Sequence, residues 1–168
     1  MVDVTREVRV AIVVGSRSDV ATLEKAVALL DEFEIGNELR VISAHRAPDL
    51  LAEYVAAAQD RGVEVFIAAA GLAAHLPGVI AAKTPLPVIG VPMPGNLMGG
   101  LDALLSIVQM PRGVPVATVG VGNAENAAIL AAEILGLKDQ DVRDRVVAYR
   151  AAQTQAIVDD PSNREDFG

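Results

Sequence analysis

The chain has 168 residues, with 22 acidic against 14 basic side chains and a net charge of −8 at pH 7, and it contains no cysteine and no tryptophan. Without cysteine it cannot form a disulfide, use a thiolate nucleophile or bind zinc or an iron–sulfur cluster through sulfur, so we expect no redox role. An acidic chain with only 3% aromatic residues also lacks the basic surface and stacking side chains of nucleic-acid binders, and its length fits a single domain, residues 1–168.

Five continuous apolar runs predict five buried strands. Runs of this kind, rather than alternating ones, are typical of parallel strands that helices cover on both faces. Helical patterns separate the runs, and right-handed crossovers then predict a three-layer α/β fold, an open parallel β-sheet with helices on both faces. The predicted strands are Val8 to Val14, Glu38 to Ile42, Val65 to Ala69, Val88 to Val91 and Val114 to Val119.

The predicted helices follow the strands in chain order. Pro48 occupies a favoured first-turn position, Asn123 is a good N-cap, and Gly136 is a typical helix end. The five helices of the core, about residues 8–136, are expected after Asp19, from Pro48, from Leu76 to Lys83, from Leu101 to Met110, and from Asn123 to Gly136.

A sixth, C-terminal helix is expected at about residues 138–158. This segment is highly charged, yet it keeps an apolar stripe that has to be buried against another element. We expect the stripe to pack on a neighbouring subunit, and packing on the chain's own sheet is the alternative. The stripe consists of Val142, Val146, Tyr149, Ile157 and Val158.

The sequence predicts neither a signal peptide nor a membrane span. No basic segment followed by an apolar segment and a cleavage site opens the chain. The longest apolar stretch, Val65 to Ala82, is interrupted by His75 and Pro77 and makes a poor span. We therefore expect a cytoplasmic protein with no membrane partner.

The loops that follow the strands are the candidate site, because ligands of open parallel sheets bind beyond the carboxyl ends of the strands. The first loop, Gly15 to Asp19, combines a glycine turn, hydroxyls and a helix start, which suits a phosphate group. An ordinary helix cap at Ser18 or Asp19 is the alternative. The loop matches neither the dinucleotide fingerprint nor the Walker A loop, which disfavours NAD and ATP.

The two histidines of the chain lie in the second and third loops. His45 stands beside Arg46, and these residue types suit proton transfer and the binding of an anion; a solvent-facing histidine, with the arginine paired to Asp49 or Glu53, is the alternative. The third loop consists of small residues that allow close backbone approach, and its His75 by itself indicates a structural residue. The segments 91–96 and 109–113 are rigid turns that suit a pocket wall or a subunit contact.

These loops offer a phosphate site, one histidine, one arginine and backbone amides, but no metal-ligand cluster and no carboxylate pair. Such a site suits a reaction that needs positioning and one proton carrier, on a substrate that is already activated.

The motifs Gly15 to Asp19, Ser43 to Arg46, Ala73 to Gly78 and Ser106 to Gly113 together resemble, in order and spacing, the class I catalytic subunit of phosphoribosylaminoimidazole carboxylase. This family consists of the N5-carboxyaminoimidazole ribonucleotide mutases of purine biosynthesis.

The resemblance implies that a carboxylate moves from the exocyclic nitrogen of an aminoimidazole nucleotide to ring carbon C4 without a cofactor. It further implies a homo-octamer with sites at subunit junctions, and functional coupling to an ATP-dependent synthetase of the substrate. By matching positions, His45 would be the general acid and base. Substrate contacts would come from Ser16, Ser18, Asp19, Ser43 and Arg46, and the carbon dioxide pocket from Ala70, Gly71, His75 and Leu76.

Three departures from the family pattern concern local geometry: Ala47 in place of a common Thr, Leu72 in place of a common Gly, and a short segment at 120–126. The nearest alternative is the class II enzyme, which carboxylates aminoimidazole ribonucleotide directly with carbon dioxide. Class II members typically have Lys at the position of Arg46 and lack the run from Ala73 to Gly78. A non-catalytic nucleotide-binding module of the same flavodoxin-like form is a further alternative, and a receiver domain is disfavoured because the strand ends are not acidic.

Overall fold

The structure, a computed structural model, describes residues 6–163, so the ends of the predicted domain, 1–5 and 164–168, lie outside the described residues. Its strands are β1 (Val10–Val14), β2 (Asn37–Val41), β3 (Val65–Ala70), β4 (Val88–Pro92) and β5 (Ala117–Thr118). They form one sheet with the order β2-β1-β3-β4-β5, in which every neighbouring pair is parallel. The predicted five-stranded parallel sheet is confirmed.

Helices cover both faces of this sheet, as predicted. The helices are α1 (Val20–Glu32), α2 (Pro48–Asp60), α3 (Leu76–Ala81), α4 (Leu101–Val108), α5 (Ala124–Leu135) and α6 (Gln140–Val158). Residues of α1 and α5 pack on one face and residues of α2, α3 and α4 on the other, while α6 adds to the α1 and α5 layer. In the part of the chain that is described, none of the helices is long and apolar enough to cross a membrane.

Strands β1 and β3 are buried along their whole length, which explains why their sequences are continuously apolar. Successive side chains of a strand point to opposite faces, so each strand supplies both layers. In β1, Val10, Ile12 and Val14 belong to the core under α1 and α5, whereas Ala11 and Val13 belong to the core under α2, α3 and α4.

Several predicted boundaries are corrected by the structure. The fifth strand spans only Ala117–Thr118 instead of Val114 to Val119, because Pro115 has no N–H for the ladder and Val114 donates its N–H to Pro111 in a turn. Helix α3 ends two residues before Lys83, and α4 ends at Val108, ahead of the turn that precedes Pro111. The first strand begins at Val10 rather than at Val8.

The two halves of α6 differ in how much of them is covered. In its first half Val142 and Val146 are buried, and Tyr149 packs edge-on against Phe33 at the end of α1, with ring centroids 5.4 Å apart. In its last turns Ile157 and Val158 are exposed. The first half thus packs on the chain's own core, and the packing of this helix on a neighbouring subunit stays a prediction.

Candidate functional site

A cavity of about 530 Å³ lies at the carboxyl end of the sheet, between the loops that follow β1, β2, β3 and β4. This volume is typical of small-molecule sites. The cavity sits where α1 leaves on one face and α2 and α3 on the other, the switch point at which open parallel sheets bind ligands. The structure brings all ten predicted site residues to its walls: Ser16, Ser18, Asp19, Ser43, His45, Arg46, Ala70, Gly71, His75 and Leu76.

The polar side chains of the first loop do not cap α1. Ser16 Oγ accepts a hydrogen bond from the Ser18 N–H at 3.3 Å and caps a single 3₁₀ turn, Arg17–Asp19. The Ser18 hydroxyl lies 2.9 Å from Ser16 Oγ and 3.2 Å from Asp19 Oδ1, and Asp19 makes no side-chain cap on α1. The hydroxyls and the carboxylate therefore form a small polar group at the cavity rather than an ordinary helix cap.

Arg46 connects the second loop to the first. Its Nη2 donates to the backbone oxygen of Gly15 at 2.9 Å, and its Nε donates to Ser43 Oγ at 3.3 Å. The alternative pairing with Asp49 or Glu53 does not occur in the structure. A guanidinium that is held by neutral acceptors keeps its charge available for an anionic ligand.

Strand β2 and helix α2, which flank the second loop, are joined by a polar cluster around Glu38. Tyr54 Oη donates to Glu38 Oε1 at 2.9 Å, and Arg61 pairs with the same carboxylate. Burial, together with the hydrogen bond to Glu38, raises the pKa of Tyr54 above its ordinary value. The phenol therefore stays protonated as a donor, and the cluster holds in place the two elements that flank the loop of His45 and Arg46.

The two histidines are hydrogen-bonded to each other across the cavity. His45 Nε2 lies 2.6 Å from His75 Nδ1, with the rings at 83° and their centroids 4.8 Å apart. One of these nitrogens must carry the hydrogen and the other a lone pair, since two N–H groups or two lone pairs would repel each other. The hydrogen bond therefore couples the tautomer of one ring to that of the other. His75, which by itself indicated a structural residue, lies at the cavity wall.

At two glycines of the cavity wall, the surrounding protein leaves enough room for a larger side chain. A Cβ added to Gly15 meets nothing within 4 Å, and one added to Gly71 meets Met93 Cβ at an ordinary 3.5 Å. Neither residue has a positive φ. The space that these residues leave free is therefore space in the cavity, which suits the close approach of a ligand to the backbone.

Seven other wall residues were not among the predicted site residues, and three of them come from the fourth loop. The sequence assigned that loop to a pocket wall or a subunit contact, and the structure places it in the wall. The signal was its position after β4, since every loop that follows a strand of a parallel sheet ends at the same edge. These additional wall residues are Gly15, Ala44, Leu72, Ala73, Met93, Pro94 and Gly95.

Within residues 6–163, no group of three or more His, Cys, Asp or Glu side chains is arranged to hold a metal ion. The arrangement instead offers one histidine pair, one guanidinium, the paired hydroxyls of Ser16 and Ser18, and the single hydroxyl of Ser43. Chemically, such a site can bind an anionic ligand and transfer a proton to and from it.

Comparison with known proteins relates the chain to one family along nearly its whole length. The family model described as AIR carboxylase, where AIR stands for aminoimidazole ribonucleotide, matches residues 9–156. A relative in Pseudomonas aeruginosa is 51% identical over 158 residues, which cover 93% of this chain and 97% of that protein. A relative in Saccharolobus solfataricus is 54% identical over 141 residues, which cover 84% of this chain and 89% of that protein. Both are named N5-carboxyaminoimidazole ribonucleotide mutase. The crystal structure of PurE from Treponema denticola is similar with a TM-score of 0.85 and 31% identity, covering 94% of this chain and 98% of that one.

Proposed function

The chain belongs to the AIR carboxylase family, and we propose that it is a mutase that interconverts N5-carboxyaminoimidazole ribonucleotide and 4-carboxyaminoimidazole ribonucleotide in purine biosynthesis. The observation that carries the proposal is the histidine pair in a cavity whose other walls offer hydroxyls, a guanidinium and backbone amides. Relatives that share about half of the sequence are named for this reaction.

His45 acts in this proposal as general acid and then as general base. It gives a proton to the exocyclic nitrogen as the bond between that nitrogen and the carboxylate carbon breaks, which releases carbon dioxide and the neutral amine. Carbon C4 of the electron-rich ring then attacks the carbon dioxide and forms a carbon–carbon bond. His45 takes the C4 proton, so the histidine ends as it began and no other reactant is consumed.

His75 positions His45 in this scheme. A single hydrogen bond of 2.6 Å joins the rings, and it limits rotation of the His45 side chain in an otherwise open cavity. General acid–base catalysis needs the proton within hydrogen-bond distance of the atom that receives it. A ring that is already held in one orientation loses less freedom when the substrate binds.

The polar residues of the first two loops bind the nucleotide. Arg46, together with the hydroxyls of Ser16, Ser18 and Ser43, supplies donors for the phosphate and the carboxylate, and Asp19 supplies an acceptor for sugar hydroxyls. The N-terminal start of the adjoining 3₁₀ turn and α1 adds backbone N–H groups at the same place. The apolar residues Ala70, Gly71 and Leu76 of the cavity wall surround the carbon dioxide formed between the two half-reactions.

Direct carboxylation of aminoimidazole ribonucleotide is the second candidate, because the description of the matching family model names a carboxylase. A paired assay separates the two reactions. The purified protein is given freshly made N5-carboxyaminoimidazole ribonucleotide, or aminoimidazole ribonucleotide, each with and without added bicarbonate. Rapid isomerisation that is insensitive to bicarbonate is the expected result, whereas turnover of aminoimidazole ribonucleotide alone, in proportion to dissolved carbon dioxide, would contradict the mutase.

The proposal includes a homo-octamer. Helix α4 is apolar on more than one side: Ile107 is buried against the sheet, whereas Leu105 and Val108 on the same helix are about half exposed. Together with Ile157 and Val158 of α6, these residues form apolar surface that the single chain leaves uncovered, which supports association with further copies. Sedimentation equilibrium should return eight times the 17.5 kDa chain mass.

We also propose functional coupling to an ATP-dependent N5-carboxyaminoimidazole ribonucleotide synthetase. The substrate is a carbamate that loses carbon dioxide readily, so it has to be made close to where it is used. The chain contains no Walker A motif with which to make it from ATP. Faster product formation in a mixture of the two enzymes than in sequential incubations would support direct transfer.

A further inference from the structure

Leu72 occupies a strained backbone position in the third loop. Its φ is +56°, in the left-handed region that side chains with a Cβ rarely adopt. It follows Gly71 directly, and His75 stands three residues further on, just before α3. Strain of this kind persists only where the surrounding structure enforces it, and it is often found at functional sites.

The strain at Leu72 is not offset by burial within the chain. The side chain is 70% exposed and belongs to neither of the two core clusters. Its loop neighbours Ala74 and Leu76 are fully buried in the core under α3. Packing therefore accounts for those two residues, but it does not account for a leucine at position 72.

The position of Leu72 relative to the cavity distinguishes it from other exposed apolar residues. Of the large apolar side chains that are exposed between residues 6 and 163, it alone lines the cavity. Met98 is a close counterpart, because it is 75% exposed with a φ of +48°, yet it is not part of the cavity wall. Leu72 therefore adds exposed apolar surface to the wall of the cavity that also contains the histidine pair.

We propose that Leu72 retains carbon dioxide in the site between the two half-reactions, an inference that rests on the proposed mutase function. Carbon dioxide is small, uncharged and apolar, so the polar groups that hold the nucleotide cannot hold it. An apolar side chain over its pocket hinders both the escape of the gas and the entry of water. Leu72 is in this sense a specificity-determining residue, because it sets how often the released carbon dioxide is recaptured instead of exchanged with solvent.

The test measures exchange with solvent per turnover. Unlabelled N5-carboxyaminoimidazole ribonucleotide is converted in buffer containing ¹³C-bicarbonate and carbonic anhydrase, and the label in the C4 carboxylate is measured by mass spectrometry. Leu72→Gly relieves the backbone strain and removes the side chain, whereas Leu72→Asn tolerates the same backbone and keeps the size but is polar. Both variants should raise the labelled fraction at least about threefold over the unmodified chain, and Leu72→Met should stay within about twofold.

Met98→Gly is the matched control, since it removes an exposed apolar side chain from a left-handed position outside the cavity. It should leave the labelled fraction unchanged. An equal labelled fraction in Leu72→Gly and the unmodified chain would overturn the inference. If the oligomeric state of Leu72→Gly, measured by sedimentation, also changed, Leu72 would serve subunit association instead. Complete labelling in the unmodified chain would overturn the proposed mutase function itself, because carbon dioxide from solvent would then be the carboxyl source.

Discussion

At the scale of single residues, the proposed mechanism depends most on His45, which is hydrogen-bonded to His75 and lines the cavity. We expect His45→Asn to lower kcat by about 10²- to 10⁴-fold, because the amide cannot carry the proton between nitrogen and carbon. Nucleotide affinity should change little, since Arg46 and the serines are untouched. Steady-state kinetics and calorimetric titration with 4-carboxyaminoimidazole ribonucleotide measure the two effects.

A matched variant of the partner histidine tests the same assignment. In His75→Asn the side-chain amide takes the place of Nδ1 and can keep the hydrogen bond to His45 through its nitrogen as donor or its oxygen as acceptor, whereas His75→Phe cannot. If His75 only positions His45, kcat should fall less in His75→Asn than in His75→Phe. A near-normal rate in His45→Asn would contradict the mechanism even if the substrate is right.

Gly15 illustrates how a residue without a side chain can be functional. Since a Cβ at Gly15 meets no protein atom within 4 Å, Gly15→Ala should unfold at the same temperature or slightly higher, because alanine reduces the freedom of the unfolded chain. The added methyl group enters the cavity, so kcat/KM should fall at least about tenfold. Thermal unfolding and steady-state kinetics separate the two effects.

Gly120→Ala is the control for this variant. A Cβ there meets only Asn123 Cβ at 3.7 Å, and Gly120 is not part of the cavity wall. Its kinetics should match those of the unmodified chain. A loss of stability in Gly15→Ala together with unchanged kinetics would show that this glycine serves the fold and not the ligand.

At the scale of elements, the close packing of α4 on β4 depends on Gly90. A Cβ at Gly90 would overlap Ile107 Cγ2 and lie 2.9 Å from Val116 Cγ1, so these side chains or the elements that carry them have to shift when Gly90 gains a side chain. We expect Gly90→Ala to lower the free energy of unfolding by about 1–3 kcal/mol. Urea denaturation monitored by circular dichroism measures the loss.

The double variant with Ile107→Ala tests whether this contact is the cause. Removing the Ile107 side chain makes room for the new methyl group. The double variant should therefore lose less free energy of unfolding than the sum of the losses in the two single variants. Strict additivity would place the strain of Gly90→Ala elsewhere in the sheet.

Caps and ends of helices show where local sequence patterns are reliable. Asn123 was predicted as a cap, and its side chain accepts the N–H of Asn126 at 3.0 Å. Gly136 does follow α5, but with a right-handed φ of −64°, so it does not end the helix through the left-handed conformation typical of glycine. Its small size instead allows the close approach of Arg143, whose Cα would lie 3.3 Å from an added Cβ.

At the scale of the whole molecule, an ion-pair network at the amino end of the sheet connects distant parts of the chain. Arg9 beside β1 donates to Glu64 at 2.7 Å and to Asp139 at 2.6 Å, and Lys138 also pairs with Glu64. Burial works against ionisation of Glu64, but the hydrogen bonds from Lys138 and Arg9 outweigh it and hold its pKa below the ordinary value. The hydrogen bond from Arg9 likewise lowers the pKa of Asp139.

These lowered pKa values predict a loss of stability in acid. A carboxyl group whose pKa is lower in the folded state stabilises the fold above its unfolded pKa, about 4 for Asp and Glu, and loses this contribution as the pH falls through the folded pKa. We therefore expect the urea midpoint to fall between pH 5 and pH 3, and to fall less in Glu64→Gln. In Glu24→Gln, at an exposed position of α1 without an ion pair in the structure, the pH dependence should be unchanged.

Sequence alone was sufficient for the fold class, the order of the strands and helices along the chain, and the loops that carry the site. The physical reason is that these properties are local: continuous apolar runs indicate strands that are buried on both faces, and the carboxyl ends of parallel strands share one edge. The resemblance of the motifs to a known family completed the set of ten candidate site residues, and all ten line a single cavity.

Only the tertiary structure decided that His45 and His75 touch. Their loops follow β2 and β3, which are not neighbours in the sheet, because β1 lies between them. Strand order depends on how helices and strands pack over the whole sheet, and no local pattern records it. The left-handed backbone of Leu72 is likewise visible only in the structure, because a leucine gives no sequence signal for a positive φ. The short β5 is different, since its cause, Pro115 and the turn between Pro111 and Val114, is local.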